Sequence, residues 1–304
     1  MKGVESMSDS HKAYIAMVAS SAIVGLSFMF VTIALEVVSP LDLLLYRFVF
    51  AVLFGSVPVI IGVVRVRMTM KAVIDMLPLA TLYPLLFFTF QTFGLQWGTS
   101  SEAGIILATV PIFTALWSWL YLKESLTKLQ LAGIMMSLAG VLWILINQTN
   151  HVTFSVLGIS LLLGSTLSIS WYNVLARKLS ARYSFYTMVY IMSWFGLLVF
   201  AVMSVVSRVI RGQSLDYLTP LLNKQLLLAM LYLGGLSSFV TAALNNYALS
   251  KISAAKMSVF SHLSTIITIA AGIIILGEHL YTYHIIGAAF ILLGIIGVNY
   301  HRKD

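Results

Sequence analysis

The chain reads as an all-α polytopic membrane protein: ten transmembrane helices arranged as two inverted five-helix repeats. Three observations predict this. Of 304 residues, 60% are hydrophobic and 9% charged, against about a quarter charged in soluble domains, whose surface must face water. The apolar residues fall in repeated runs of about 20, the length a helix needs to cross roughly 30 Å of hydrocarbon. Finally, the stretch Gly94–Ile144 recurs 154 residues later, without a gap, as Ala248–Val298. Thr99-Ser100-Ser101 meets Ser253-Ala254-Ala255, Glu124 meets Glu278, Gly133 meets Gly287 and Gly140 meets Gly294. An offset of half the chain is what gene doubling leaves behind.

In order, the apolar runs cover 13–35, 41–64, 74–96, 100–122, 127–146, 156–177, 185–207, 225–249, 252–276 and 281–300. They divide the chain into a polar tail (1–12), a first repeat (13–150), a second repeat (151–300) and a short tail (301–304). The run from Ala13 to Leu35 is too long for a signal-peptide core and has no small-residue cleavage motif, so it is expected to be a first span. The longest connection, 208–224, holds Arg208, Arg211, Gly212, Asp216 and Pro220 and is expected to carry a small surface turn.

Charge sets the orientation. With both termini in the cytoplasm, fourteen of the 18 Lys and Arg fall on inner segments. Arg208, Arg211 and Lys224 fall outside, and Arg47 lies within a span. That asymmetry is the positive-inside pattern, not a nucleic-acid surface. Five helices per half is an odd number, so the second copy enters the membrane upside down. Inverted halves can exchange conformations around a site at mid-membrane.

The five-plus-five duplication, the Glu-x-Leu joints at Glu124/Leu126 and Glu278/Leu280, and Arg47 in the second helix resemble the EamA family of the drug/metabolite transporter superfamily. The likeness runs from about residue 13 to the end. It implies a carrier in which helices 5 and 10 are peripheral and the other eight form a basket around the substrate. Pro111 in the fourth helix has Thr265 as its counterpart in the ninth, so the two halves need not kink alike.

Polar residues in lipid must face protein or water, so polar stripes mark interior faces. Helix 9 carries Ser258, Ser261, Thr265 and Thr268, with His262 beside them. Helix 8 gives Ser238, Thr241 and Asn245, then Asn246. Helix 6 gives Thr166, Ser170 and Asn173 next to Trp171 and Tyr172, and helix 3 gives Tyr83 and Gln91. Tyr83, Gln91, Trp171, Asn173, Asn245, Ser261, His262 and Thr265 are the candidate substrate contacts. Against that stands a plain alternative: Ser and Thr also bond their own helix backbone. Of the two adjacent asparagines, Asn245 continues the stripe and Asn246 is expected to be structural. His262 is either a hydrogen-bonded packing residue or a proton gate.

Arg47 is the costliest residue in a span. It either snorkels outward, pairs with Glu102, at similar depth, or attracts a substrate carboxylate. Glu124 and Glu278 each precede a helix start, where a carboxylate suits the dipole and caps backbone N–H groups. Helices 5 and 10 present Gly133, Ser137, Gly140, Gly287 and Gly294 on one face, suited to close packing and to a homodimer.

With no cysteine, disulfides and thiolate metal sites are excluded. No His-Glu-x-x-His spacing or phosphate-binding glycine loop occurs, so no enzyme, metal site, cofactor or direct ATP use is expected. The expected partners are a small-molecule substrate, protons and membrane lipids, with no nucleic acid. The expected function is a secondary carrier in the cell membrane, an exporter of small amphipathic metabolites such as amino acids. Efflux of toxic compounds and lipid flipping are the rival readings; a channel is disfavoured by the absence of a filter-like loop.

Overall fold

The computed structural model describes residues 9–66, 68–122, 127–147, 156–180, 182–251 and 254–299. At some helical positions, Ser258, Ser261 and His262 among them, the backbone alone is described. Thirteen α-helices follow one another among these residues, joined in places by irregular turns, and no strand interrupts them. They are α1 (Asp9–Leu35), α2 (Pro40–Ile60), α3 (Met70–Ala80), α4 (Phe87–Gln96), α5 (Ser100–Leu107), α6 (Val110–Leu122) and α7 (Lys128–Asn147). There follow α8 (Val156–Leu179), α9 (Phe185–Ile210), α10 (Lys224–Met230), α11 (Thr241–Lys251), α12 (Ala254–Leu276) and α13 (Thr282–Asn299). Seven continuous segments are long and apolar enough to cross a membrane; Lys128–Ile144, Leu263–Leu276 and Thr282–Gly294 are apolar but shorter.

Three rods are broken in mid-course, each for a local reason. Between α3 and α4 the chain leaves helical geometry at Tyr83 (φ −141°, ψ 111°), the extended conformation a residue before proline prefers. The rod formed by α10 and α11 is underwound into wide π-type turns across Leu231–Val240. Shifted by 154 residues, the first break, Thr81–Leu86, falls inside the second. Between α5 and α6 the helix tightens at Ala108–Thr109, because Pro111 lacks the N–H that would bond Leu107. In α12 the counterpart Thr265 keeps its N–H, and the helix runs unbroken. The two halves do kink differently.

Antiparallel neighbours put the starts of α2 and α5 at one end of the bundle, here the Pro40 end, and the start of α3 at the opposite, Met70 end. The largest buried apolar cluster fills the Pro40 end, with Phe28, Leu43, Leu95, Ile105 and Leu226. A second cluster, with Met76, Tyr172, Ala176, Tyr186 and Phe239, ties α3, α8, α9 and the α10–α11 rod together toward the Met70 end.

Helices α7 and α13 pack on each other through their small residues. A Cβ on Gly140 would stand 2.6 Å from the Gly287 carbonyl oxygen, and one on Gly294 would strike the Gly133 carbonyl. The second contact is the first with the two helices exchanged. Ser137 Oγ donates to the Ile291 carbonyl across this seam at 3.0 Å. Outside the seam, Leu131, Met135, Leu142, Ile285, Leu293 and Ile296 are exposed. The small-residue face is therefore spent within the chain.

Candidate functional site

A cavity of about 170 Å³ lies in the middle of the bundle, lined from α1, α2, α4, α5, α6, α8, α11 and α12 and from the two broken segments between α3–α4 and α10–α11. Roughly 10–15 Å³ of this measure holds one water, so the space suits a metabolite of about a dozen non-hydrogen atoms. Its walls are amphipathic. Tyr83, placed by the break, stacks near Phe87, Phe88 and Tyr172 with ring centroids 5.4, 5.0 and 5.1 Å away. Polar groups enter from Ser20, Ser27, Gln91, Thr114, Asn173, Asn245, Asn246 and Ser264.

Both asparagines line the cavity. Asn245 Oδ1 accepts from Ser20 Oγ at 2.6 Å, tying α11 to α1. Asn246 Nδ2 donates to the Ala242 carbonyl at 2.8 Å and to Tyr172 Oη at 3.3 Å, while its Oδ1 is buried without a partner. Asn246 thus makes the structural bonds expected of it, and it also lines the cavity beside Asn245. Gln91 is 3% exposed and its Oε1 likewise has no partner.

Arg47 sits at the wall of this cavity, 1% exposed. Its Nε donates to Ser238 Oγ at 2.6 Å and its Nη2 to Ser237 Oγ at 2.9 Å. The guanidinium lies over the Phe88 ring, 3.9 Å from the centroid, a favourable cation–π arrangement. Gly234 makes the serine contacts reachable: a Cβ there would meet the Arg47 carbonyl oxygen at 2.7 Å, so glycine lets the underwound segment close on α2. Arg47 Nη1 is buried with no partner.

The expected Arg47–Glu102 pair does not form. Glu102 Oε1 instead bonds His284 Nε2 at 2.7 Å, both side chains almost fully buried. His284 Nδ1 accepts the Tyr281 backbone N–H at 3.2 Å, so the ring proton resides on Nε2 and is donated to the carboxylate. Glu102 also completes a capping box with Thr99 at the start of α5. Glu278 does cap, but not the helix that follows it. Its two oxygens accept from the N–H and Oγ of Ser100 (both 2.8 Å) and of Ser101 (2.9 and 2.5 Å), in the other half of the chain. With Glu102 N–H on Thr99 Oγ1 and Ala103 N–H on the Thr99 carbonyl, the first four donors of α5 are satisfied. Glu124 lies outside the described residues.

A further charged contact closes the Pro40 end. Arg208, expected in the outer loop, lies in the last turn of α9 and grips Asp42 with two bonds of 3.0 Å. Asp42 also accepts from Ser39 and Ser204 Oγ at 2.8 and 2.5 Å. The loop beyond carries the expected turn, a short 3₁₀ segment at Thr219–Leu222. Asp216, held below the ordinary carboxylate range by bonds from the Thr219 side chain and from the backbone of Thr219 and Leu218, organises it.

Two other expectations change. Trp171 does not line the cavity: it stacks on Trp117 at 4.4 Å, while its neighbour Tyr172 faces in. Thr265 bonds the Gly104 carbonyl at 3.1 Å in the α5–α12 contact, and the cavity takes Ser264 instead. The side chains of Ser261 and His262 fall outside the described residues. Many remaining Ser and Thr hydroxyls bond their own helix: Thr166 to the Leu163 carbonyl, Ser168 to Gly164, Ser193 to Val189.

A multi-pass helical membrane protein with an amphipathic chamber at mid-bundle belongs to the class of membrane transporters. The sequence matches the EamA-like transporter family twice, at residues 11–146 and 156–300, and the chain belongs to that family. It is 46% identical over 94% of its length, and 92% of the other chain, to an uncharacterized transporter, YcxC, of Bacillus subtilis. It is 22% identical, over 89% of each chain, to a protein of Escherichia coli named a probable amino-acid metabolite efflux pump. A solved crystal structure, 17% identical, superposes with a TM-score of 0.66 over 95% of this chain and 97% of that one, and so has the same fold.

Proposed function

We propose that the protein is a secondary carrier that exports small amphipathic metabolites of amino-acid type across the cell membrane by alternating access. The observation that carries the reading is the cavity: an aromatic wall faces polar side chains at mid-bundle, which suits a cargo with an apolar body and a polar head. Tyr83, Gln91, Asn173 and Asn245 are its contacts, joined by Tyr172 and Asn246. Ser261, one turn before the cavity-lining Ser264, and His262 beside it are kept as further contacts on helical spacing.

The two family matches and the reciprocal α7–α13 contacts support two inverted repeats, 13–150 and 151–300, between tails at 1–12 and 301–304. Counting the three shorter apolar helices as crossings gives ten spans. The Lys and Arg distribution supports both termini in the cytoplasm, which puts the Pro40 end outside. Exchange against protons supplies the driving force without ATP. A homodimer through α7 and α13 would use their exposed apolar faces, since the glycine faces are occupied.

Counterflow in proteoliposomes loaded with mixed amino acids tests this. Accelerated uptake of labelled amino acid by wild type, lost in Asn245→Ala or Tyr83→Ala protein of normal stability, is expected. Uptake unaffected by either substitution would refute the assigned site. No exchange of any amino acid by folded protein would refute the cargo class.

A further inference from the structure

Arg47 presents an unusual balance. A buried cation is costly unless an anion answers it. Among the described residues Glu102 is engaged by His284, Asp42 by Arg208 and Glu278 by the start of α5, while Glu36 at the same end is exposed to solvent. What surrounds the guanidinium is two hydroxyls and the face of Phe88. Two of its nitrogens are held, so the plane is fixed, and Nη1 remains a buried donor without an acceptor on the wall of the cavity. Two acceptors lining the same cavity, Gln91 Oε1 and Asn246 Oδ1, are buried and equally unanswered.

We propose that Arg47 is the anion subsite of the carrier and that Nη1 binds the carboxylate of the cargo, so that a carboxylate is required for recognition. This rests on the carrier reading above but concerns binding alone. A single guanidinium offers one positive charge. Among the described lining residues no second Lys or Arg joins it, which fits a monoanion and not a phosphate ester. Gln91 Oε1 and Asn246 Oδ1 then receive an ammonium or amide N–H of the cargo, and the ring wall of Tyr83, Phe88 and Tyr172 covers its apolar body. Ser237 and Ser238 are positioning residues that hold the guanidinium plane.

The test is direct binding, followed by thermal shift and titration calorimetry on the full-length purified protein. The probes are two matched pairs: 3-phenylpropanoate with 3-phenylpropanamide, and L-phenylalanine with its primary amide. Each amide keeps the shape of its partner and loses the negative charge. Binding of the carboxylates at least tenfold tighter than the amides is expected, since a bond to a charged group discriminates by ten- to a hundredfold. Arg47→Gln is expected to abolish that preference. If Arg47→Gln fails to fold, the preference in wild type still decides. Equal binding within both pairs, no binding of either carboxylate, or a carboxylate preference surviving in Arg47→Gln would each overturn the subsite. The carrier reading fails separately: carboxylates bound with the full preference but never exchanged across liposomes would refute transport and leave the subsite standing. Exchange of a cargo without a carboxylate would do the reverse.

Discussion

Replacing Glu102 by alanine removes one partner of a buried pair that joins α5 to α13. The imidazole Nε2–H of His284 is then left in a dry site, at a cost of about 1–3 kcal/mol. The lost capping-box carboxylate adds about 0.5–1 kcal/mol. Together they predict a loss of about 1.5–4 kcal/mol, a fall in melting temperature of about 3–8 °C for a chain of this size. Glu102→Gln is the informative companion. Nδ1 of His284 is occupied as an acceptor, which leaves Nε2–H as the donor, and a glutamine carbonyl accepts from it as the carboxylate does. Its cost is expected below about 1 kcal/mol. Thermal stability of the detergent-solubilised protein, read by fluorescence-detected size exclusion, measures both variants. A fall with Glu102→Gln as deep as with Glu102→Ala would refute the reasoning, because it would mean that the carboxylate charge faces an imidazolium.

The remaining expectations are shorter. Gly140→Ala forces a methyl against the Gly287 carbonyl and is expected to cost about 1–3 kcal/mol. Gly62→Ala, at a position with φ of 77° and open space around it, should cost about 1–2 kcal/mol, from backbone conformation alone; the same melting measurement ranks the two. Arg208→Lys keeps the charge but loses the two-bond grip on Asp42, so it should destabilise nearly as much as Arg208→Ala; equal melting of Arg208→Lys and wild type would refute this. The Tyr183 phenol donates to Asp75 at 2.7 Å, and that bond raises its ionisation above the ordinary tyrosine value of 10.0. Its contribution is therefore present below pH 10 and is lost as pH rises through the elevated folded value. Ultraviolet titration of wild type minus Tyr183→Phe should show this late-ionising phenol, and Asp75→Asn should move it back down.

Much of the architecture could be read from residue order because length and apolarity alone decide what crosses hydrocarbon. Helix boundaries agree within a few residues: 41–64 ends instead at Ile60, where Gly62 turns the chain, and 185–207 extends to Ile210. The site was harder to read, for two physical reasons. Facing was inferred from a constant turn of 100° per residue, and the rods carrying Tyr83, Gln91 and Asn245 are broken by an extended residue and by underwound turns. Across such turns a stripe changes face, so the line through Ser238, Thr241 and Asn245 could not separate Asn245 from Asn246. Partners were inferred from depth, which put Glu102 beside Arg47. Depth does not register azimuth around the bundle, and His284, from the other half, occupies that place. The small-residue faces of helices 5 and 10 were legible, yet nothing in their order revealed that they meet each other.

Glu278 closes the backbone of a helix to which it does not belong. The N–H groups of Ser100 and Ser101 have this carboxylate as their acceptor, so drawing the loop before α13 away from α5 exposes two peptide donors and a bare carboxylate at once. In a dry gap each such group carries its full desolvation penalty. Water arriving with the movement removes most of it, because it hydrates donors and acceptor together. If the carrier alternates as proposed, parting of the Pro40 end is therefore a wetting event, in which backbone separation and hydration proceed as one step. Its rate would then respond to water activity as well as to cargo, and osmolytes excluded from the crevice would hold that end shut.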